Sequence, residues 1–213
     1  MNLTNYYWYF QSVVPPRICD MIVQYGKGEK KKEIMAITGG QGRDRDLLKQ
    51  PLTEDEMKDL KKKRDSNIVW MNDQWIYKEI QPYIRIANHN ARWNFQWDWT
   101  ESCQFTKYKK DQYYGWHCDS WDKPYADGPS KGKIRKLSVT VSLSDPTTYK
   151  GGELEFDFRQ HDADKKRKTI ICKEILPKGS IIVFPSFVWH RVNPVTKGVR
   201  HSLVMWNLGY PFQ

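Results

Sequence analysis

The sequence predicts a mainly β domain with α-helices at its N-terminal side, and three observations carry that expectation. Apolar residues recur at helical spacing in the first half. In the second half they alternate with polar ones, and the alternating stretches are short and divided by glycine and proline turns. Strands at such intervals belong to a closed or sandwiched β-architecture. A chain of 213 residues is of ordinary length for one such domain.

The elements follow in order. Arg17 to Tyr25 sets Ile18, Met21, Ile22 and Tyr25 on one helical face behind Pro15 and Pro16, with Gly26 and Gly28 as a stop. Gly39 to Arg45 is glycine-rich and charged and reads as a loop. Thr53-Glu54-Asp55-Glu56 is a capping box, and Lys58 to Arg64 gathers positive charge toward the C-terminus of the helix it starts. Trp75, Ile76, Ile80, Tyr83, Ile84 and Ala87 share one side of a third helix, with Pro82 as its kink.

Cys103 to Tyr108 and Tyr113 to Asp119 read as neighbouring strands. Leu137, Val139, Val141 and Leu143 alternate with Lys136, Ser138, Thr140 and Ser142, the repeat of a strand with one buried face. Gly151-Gly152 precedes a strand over Glu153 to Phe158, and Lys168 to Leu176 is rich in Ile and Thr. Pro177-Lys178-Gly179 turns into the apolar Ser180 to Phe184, and Val199 to Leu208 forms the last strand.

Lysine and arginine number 35 against 25 acids, a net charge of +10 that favours acidic partners or substrates. The basic residues fall in short runs interleaved with acids, more the mark of solvated faces than of a nucleic-acid groove. The four cysteines have no C-x-x-C spacing and are too sparse for a disulfide scaffold, so free thiols are expected. No basic residue precedes the aromatic stretch Tyr6 to Phe10 and no long apolar run follows it, which predicts a soluble, cytoplasmic protein without signal peptide or membrane span. Ten tryptophans and twelve tyrosines exceed what a surface needs, and most are assigned to the core.

The chemistry sits in four residues. His117 and Asp119 form a His-x-Asp pair whose side chains, on a strand, project from one face, and His190 supplies a third ligand from a later strand. Two imidazoles and one carboxylate on one side of a cation suit non-haem Fe(II), because three coordination positions stay open. Arg200, ten residues after His190, calls for a carboxylate, and a dicarboxylic cosubstrate provides one. Ser202 has the same facing as Arg200, and Tyr108 either donates to the same anion or packs in the β-core. His201 points the other way, and His89 and His161 lie in a helix and a charged loop. Tyr114, Trp116, Trp121, Trp189 and Trp206 flank the motif in sequence and are candidates for the wall of a substrate entrance.

These residues resemble the Fe(II)- and 2-oxoglutarate-dependent dioxygenases, in particular the prolyl 4-hydroxylase-like branch that includes the PKHD-type hydroxylases. The likeness runs through Gln104-x-x-x-Tyr108, Tyr114-Gly115-Trp116-His117-Cys118-Asp119, Tyr149-x-Gly151-Gly152-Glu153-Leu154, Gly179-Ser180-x-x-x-Phe184-Pro185, His190-Arg191-Val192-x-Pro194-Val195 and Gly198-x-Arg200. It implies a double-stranded β-helix, or jelly roll, over residues 100–213, with residues 1–99 as a helical support region and first strands of one domain. It implies iron on His117, Asp119 and His190, and 2-oxoglutarate on Arg200 with Tyr108 assisting. Tyr114 and Trp206 correspond to the aromatic positions that border substrate in prolyl hydroxylases, with Trp116 and Trp121 nearby.

The implied reaction consumes 2-oxoglutarate and O2, releases succinate and CO2, and uses ascorbate to keep iron reduced. Its implied target is a proline-containing peptide or protein, with a free amino acid or other small molecule as the nearest alternative. The wider superfamily's nucleic-acid demethylases carry a second arginine shortly after the first, and Ser202 to Leu208 has none. A nucleic-acid partner is therefore disfavoured. A reading of another class is a cupin-like metal-binding or nucleic-acid-binding module without turnover.

Overall fold

The computed structural model describes residues 5–28, 31–36, 53–120, 123–158 and 169–212. The Gly39 to Arg45 loop, Trp121 and His161 lie outside them. The described elements run β1 (Trp8–Phe10), α1 (Pro16–Lys27), β2 (Ile34–Met35), α2 (Glu54–Lys63), β3 (Arg64–Asp65), β4 (Asn67–Met71), α3 (Gln74–Asn90), β5 (Trp99–Thr100), β6 (Cys103–Tyr108), β7 (Tyr113–His117) and β8 (Ile134–Ser142). They continue as β9 (Lys150–Gly151), β10 (Leu154–Asp157), β11 (Thr169–Ile171), β12 (Ile181–Pro185), β13 (Trp189–Val192), β14 (Val195–Lys197) and β15 (Arg200–Gly209).

The strands form two facing sheets. The larger has the order β1-β12-β8-β15-β6-β4-β2, with β5 on a further edge of β15; the smaller has the order β11-β10-β13-β7-β3. β9 and β14 make a separate ribbon. This is the mainly antiparallel, jelly-roll architecture that the sequence suggests.

The central strands of the larger sheet, β12, β8, β15 and β6, are buried on both faces. Its outer face carries Phe105, Leu137, Val139, Val141, Leu203 and Met205 against Ile22 of α1 and Ile76, Ile80 and Ile84 of α3, one continuous apolar core. On the inner face, Ile182 and Phe184 of β12 join Leu154 and Phe156 of the smaller sheet. Along β6, β8 and β15 that inner face is polar: Thr106, Ser138, Ser142, Arg200 and Ser202 are all buried. The expectation of one buried face for Leu137 to Leu143 is thus corrected. Ser138 is 0 % and Thr140 8 % exposed, because their face lines the interior between the sheets.

Two other expectations change. Helix α1 runs through Gly26 to Lys27, so Gly28 caps it as expected and Gly26 does not stop it. A β-carbon on Gly26 would sit 2.6 Å from the Phe105 ring, so this glycine serves close packing of helix on sheet. β6 and β7 are not neighbours either: β6 pairs with β15 and β4, β7 with β13 and β3. The turn between them carries the chain from one sheet to the other. The Thr53 capping box forms as expected, with Glu56 accepting from the Thr53 N–H at 2.9 Å. No helix among the described residues is long and apolar enough to cross a membrane.

Candidate metal and cosubstrate site

His117 and His190 stand opposite each other in the β7–β13 ladder. The ladder is irregular there: Val192 pairs with Tyr114, so three residues of β7 match two of β13. The extra residue puts Tyr114 and His117 on one face, where their rings stack at 3.5 Å between centroids. The Arg64 guanidinium lies over the Tyr114 ring at 4.4 Å and is held by its Nε donating to Ser66 Oγ. His190 packs edge-on against Phe184, 4.7 Å between centroids.

Each histidine places its Nδ1 against a backbone carbonyl, His117 on Gly115 at 2.8 Å and His190 on Val188 at 3.0 Å. A carbonyl accepts only, so Nδ1 carries the proton and Nε2 keeps its lone pair, the tautomer a metal ligand needs. Asp119 lies past the end of β7. Strand geometry therefore does not place it; its N–H, with that of Ser120, donates to the Ser186 carbonyl at 2.8 and 2.9 Å. Its Oδ1 is 3.7 Å from His117 Nε2, its Oδ2 is 3.7 Å from His190 Nε2, and Ser138 Oγ donates to Oδ2 at 2.7 Å. One ligand atom from each residue lies within 4.8 Å of the others.

The electrostatics suit a cation. Burial, with the neighbouring His190, pushes the His117 imidazole down to about 3. For Asp119 burial works upward, but the two imidazoles, Arg135 and the Ser138 hydrogen bond outweigh it and bring the carboxyl to about 2. At neutral pH the site holds a neutral His117 and a carboxylate, and no proton need leave either before a cation enters.

Arg200 is 3 % exposed and opposite Tyr108 in the β15–β6 ladder, its guanidinium 5.6 Å from that ring. Its only described hydrogen bond is a long one, Nη1 to Ser202 Oγ at 3.5 Å, and no described carboxylate lies within ion-pair distance. Room for the side chain comes from Gly152, at φ +70°: a β-carbon there would meet Arg200 Cδ at 2.9 Å. Tyr108, Thr106, Ser142 and Ser202 supply buried hydroxyls around it. A buried guanidinium with no described carboxylate partner has the charge and the donors to receive one.

The predicted substrate-facing residues separate in space. Tyr114 is stacked on His117. Trp206 is 5 % exposed, on the Arg200 face of β15, with Arg135 3.9 Å above its ring; its indole N–H has no described partner. Arg135 pairs with Glu101, which also accepts from Tyr125. Trp116 packs under Arg191, which is ion-paired with the buried Glu155 and alternates in direction from His190. His201 faces away from Arg200 and stacks on Phe105, and His89 is exposed on α3.

Sequence reasoning did not single out Ser138, Ser186, Arg135 or Glu101, and it read Arg64 as the end of a basic run. One signal was available: the polar face of β8 beyond Lys136 is made of small hydroxyl residues, whereas a solvent face usually carries charges.

Comparison with known proteins agrees with this geometry. Residues 103–207 match the family model of the 2OG-Fe(II) oxygenase superfamily. Over this segment, just under half of its length, the chain is similar to that superfamily. His117, Asp119 and His190 form a donor set that fits the iron of that superfamily's name. PKHD-type hydroxylase YbiX of Escherichia coli O1:K1 and of Escherichia fergusonii are each 37 % identical over 105 residues, 48 % of this chain. The chain spans 40 % of the length of those relatives.

The oxygenase fold extends further than the sequence match. The viral collagen prolyl hydroxylase of Paramecium Bursaria Chlorella virus-1 superposes with a TM-score of 0.61 over 97 % of both chains at 19 % identity. A Pseudomonas putida prolyl-4-hydroxylase gives 0.60 over 96 % of this chain and 92 % of that one, at 17 % identity. At these identities the likeness is one of fold.

Proposed function

We propose that the protein is an Fe(II)- and 2-oxoglutarate-dependent dioxygenase that hydroxylates an unactivated C–H bond, with a prolyl residue of a peptide or protein as target. The observation that carries the reading is Arg200: a buried guanidinium with no described carboxylate, in the same interior as the three ligands. With Fe(II), 2-oxoglutarate and O2 bound, this chemistry converts C–H to C–OH and releases succinate and CO2. The chain's own part is to hold, orient and keep dry. His117, Asp119 and His190 bind on one side only, and Arg200, Tyr108 and Ser202 take the distal carboxylate.

Residues 100–213 act as the catalytic core and 1–99 as its support. A peptide target is supported by an open cleft of about 700 Å³ that includes Trp70, Trp97, Trp99 and Pro129 and reaches Glu101, the partner of Arg135 above Trp206. Aromatic clefts of this kind suit proline-rich segments. The basic surface adds a preference for acidic flanking residues.

Anaerobic titration of the Fe(II)-loaded protein with 2-oxoglutarate tests the first half of the reading, and a visible metal-to-ligand charge-transfer band is expected. Iron bound with no such band would turn the reading to a cupin-like module. Succinate formation with proline-rich peptides, acidic peptides and free proline tests the second half. Stimulation by free proline alone would replace the peptide by a small molecule.

A further inference from the structure

Two serines meet at Asp119, one on β8 and one in the turn just after β12. Ser138, on β8, is 0 % exposed and donates its one hydroxyl proton to Asp119 Oδ2 at 2.7 Å. Ser186, just past β12 and also 0 % exposed, lies 2.9 Å from Ser138 Oγ, and because the Ser138 proton is committed, Ser186 is the donor of that contact. The Ser186 carbonyl meanwhile holds the backbone of Asp119 and Ser120. The Ser186 N–H donates to the Lys136 carbonyl, which ties the pair back to β8. Asp119 Oδ1, by contrast, accepts no hydrogen bond among the described residues.

We infer that Ser138 is a positioning residue for the metal ligand: through its hydrogen bond to Oδ2, backed by Ser186, it presents Asp119 to the cation by Oδ1 alone. This rests on the metal-site reading above and deepens it. A carboxylate free to turn can take a metal with both oxygens, and the second would occupy one of the three positions that cosubstrate and O2 need. A short bond from a buried hydroxyl to one oxygen lowers that oxygen's basicity and fixes the carboxylate plane. Two hydroxyls alone would leave one O–H without an acceptor; the chain ends this relay on the Asp119 carboxylate.

The test uses Co(II) as probe metal on the full chain, for wild type, Ser138→Ala and Ser138→Thr, reading affinity and visible ligand-field bands. Ser138→Ala is expected to weaken Co(II) about tenfold to a hundredfold and to shift the bands, and Ser138→Thr, which keeps the donor, to restore both. A purely structural role would lower the melting temperature and leave the bands alone. Unchanged affinity and bands in a folded Ser138→Ala protein would overturn the inference while leaving the metal site standing; a wild type that binds no Co(II) would remove both.

Should Ser138→Ala fail to fold, infrared difference spectra of the Zn(II)-loaded wild type with isotope-labelled aspartate decide. A wide separation of the two carboxylate stretches is expected for one-oxygen binding, and a narrow one would overturn the inference.

Discussion

A guanidinium that is 3 % exposed and meets no described carboxylate is costly to bury, and its surroundings indicate what offsets the cost. Arg200→Ala is expected to weaken 2-oxoglutarate on the order of a hundredfold, about 3 kcal/mol, with Fe(II) affinity unchanged, as the charge-transfer titration would read. Arg200→Lys should recover part of the loss, since an ammonium gives the charge without the fork. Equal affinity in wild type and the alanine variant would refute the role of Arg200.

Gly152→Ala belongs to the same scale. It puts a β-carbon on a φ of +70°, 2.9 Å from both Arg200 Cδ and Val195 Cγ2. A stability loss of about 1–2 kcal/mol by denaturant melt is expected, with 2-oxoglutarate affinity falling while Fe(II) affinity holds. The ligands and Arg200 were legible because each is a distinctive residue at a distinctive spacing. Ser138 and Ser186 were not, because a serine's role depends on what lies across the barrel, which one strand's pattern does not carry.

At the level of elements, local chemistry was readable and facing was not. The α2 capping box is written in four consecutive residues and forms as written. Thr53→Ala should cost about 1 kcal/mol, seen as a lower denaturation midpoint. Helix α2 runs straight into β3, where Arg64 covers Tyr114 on His117, so the measurement has a second use. If fraying at the first turn stays local, Fe(II) affinity will not change; a parallel loss of affinity would mean that α2 transmits order to the site.

β8 teaches the opposite lesson. Its alternation is plain, but alternation alone cannot say whether the polar side meets water or another sheet. Here it meets the interior between the sheets, where Ser138 donates to Asp119. The bulge in β7 was hidden for a similar reason, since it is a mismatch between two strands and exists in neither alone.

For the molecule as a whole, the β character and the N-terminal helices follow from period and turn signals. The division of strands between two sheets depends on long-range pairing that no local pattern encodes, which is why β6 and β7 were read as neighbours. Burial at the outer face of the larger sheet has a consequence for acid stability. His201 stacks on Phe105 at 5.5 Å, its Nδ1 is 3.3 Å from Ser144 Oγ, and it is 8 % exposed. Burial, reinforced by Lys27, Lys107 and Arg200 and opposed by Glu33, lowers its imidazole from 6.5 to about 4.

A base whose folded value is depressed binds its proton more readily in the unfolded chain. Its contribution is therefore neutral above 6.5 and turns against folding as the pH falls from there toward 4, where protonation of the folded state begins to level the loss. The shift corresponds to about 3 kcal/mol between pH 7 and pH 4. Urea unfolding of wild type and His201→Gln at both pH values reads it. The variant, with nothing to titrate, should lose about 3 kcal/mol less across that interval, at unchanged Co(II) affinity at pH 7, because His201 faces away from the ligands. Parallel losses in the two proteins would mean that His201 takes up its proton in the folded state at its ordinary value, and that the acid lability resides in other groups, the buried His117 among them.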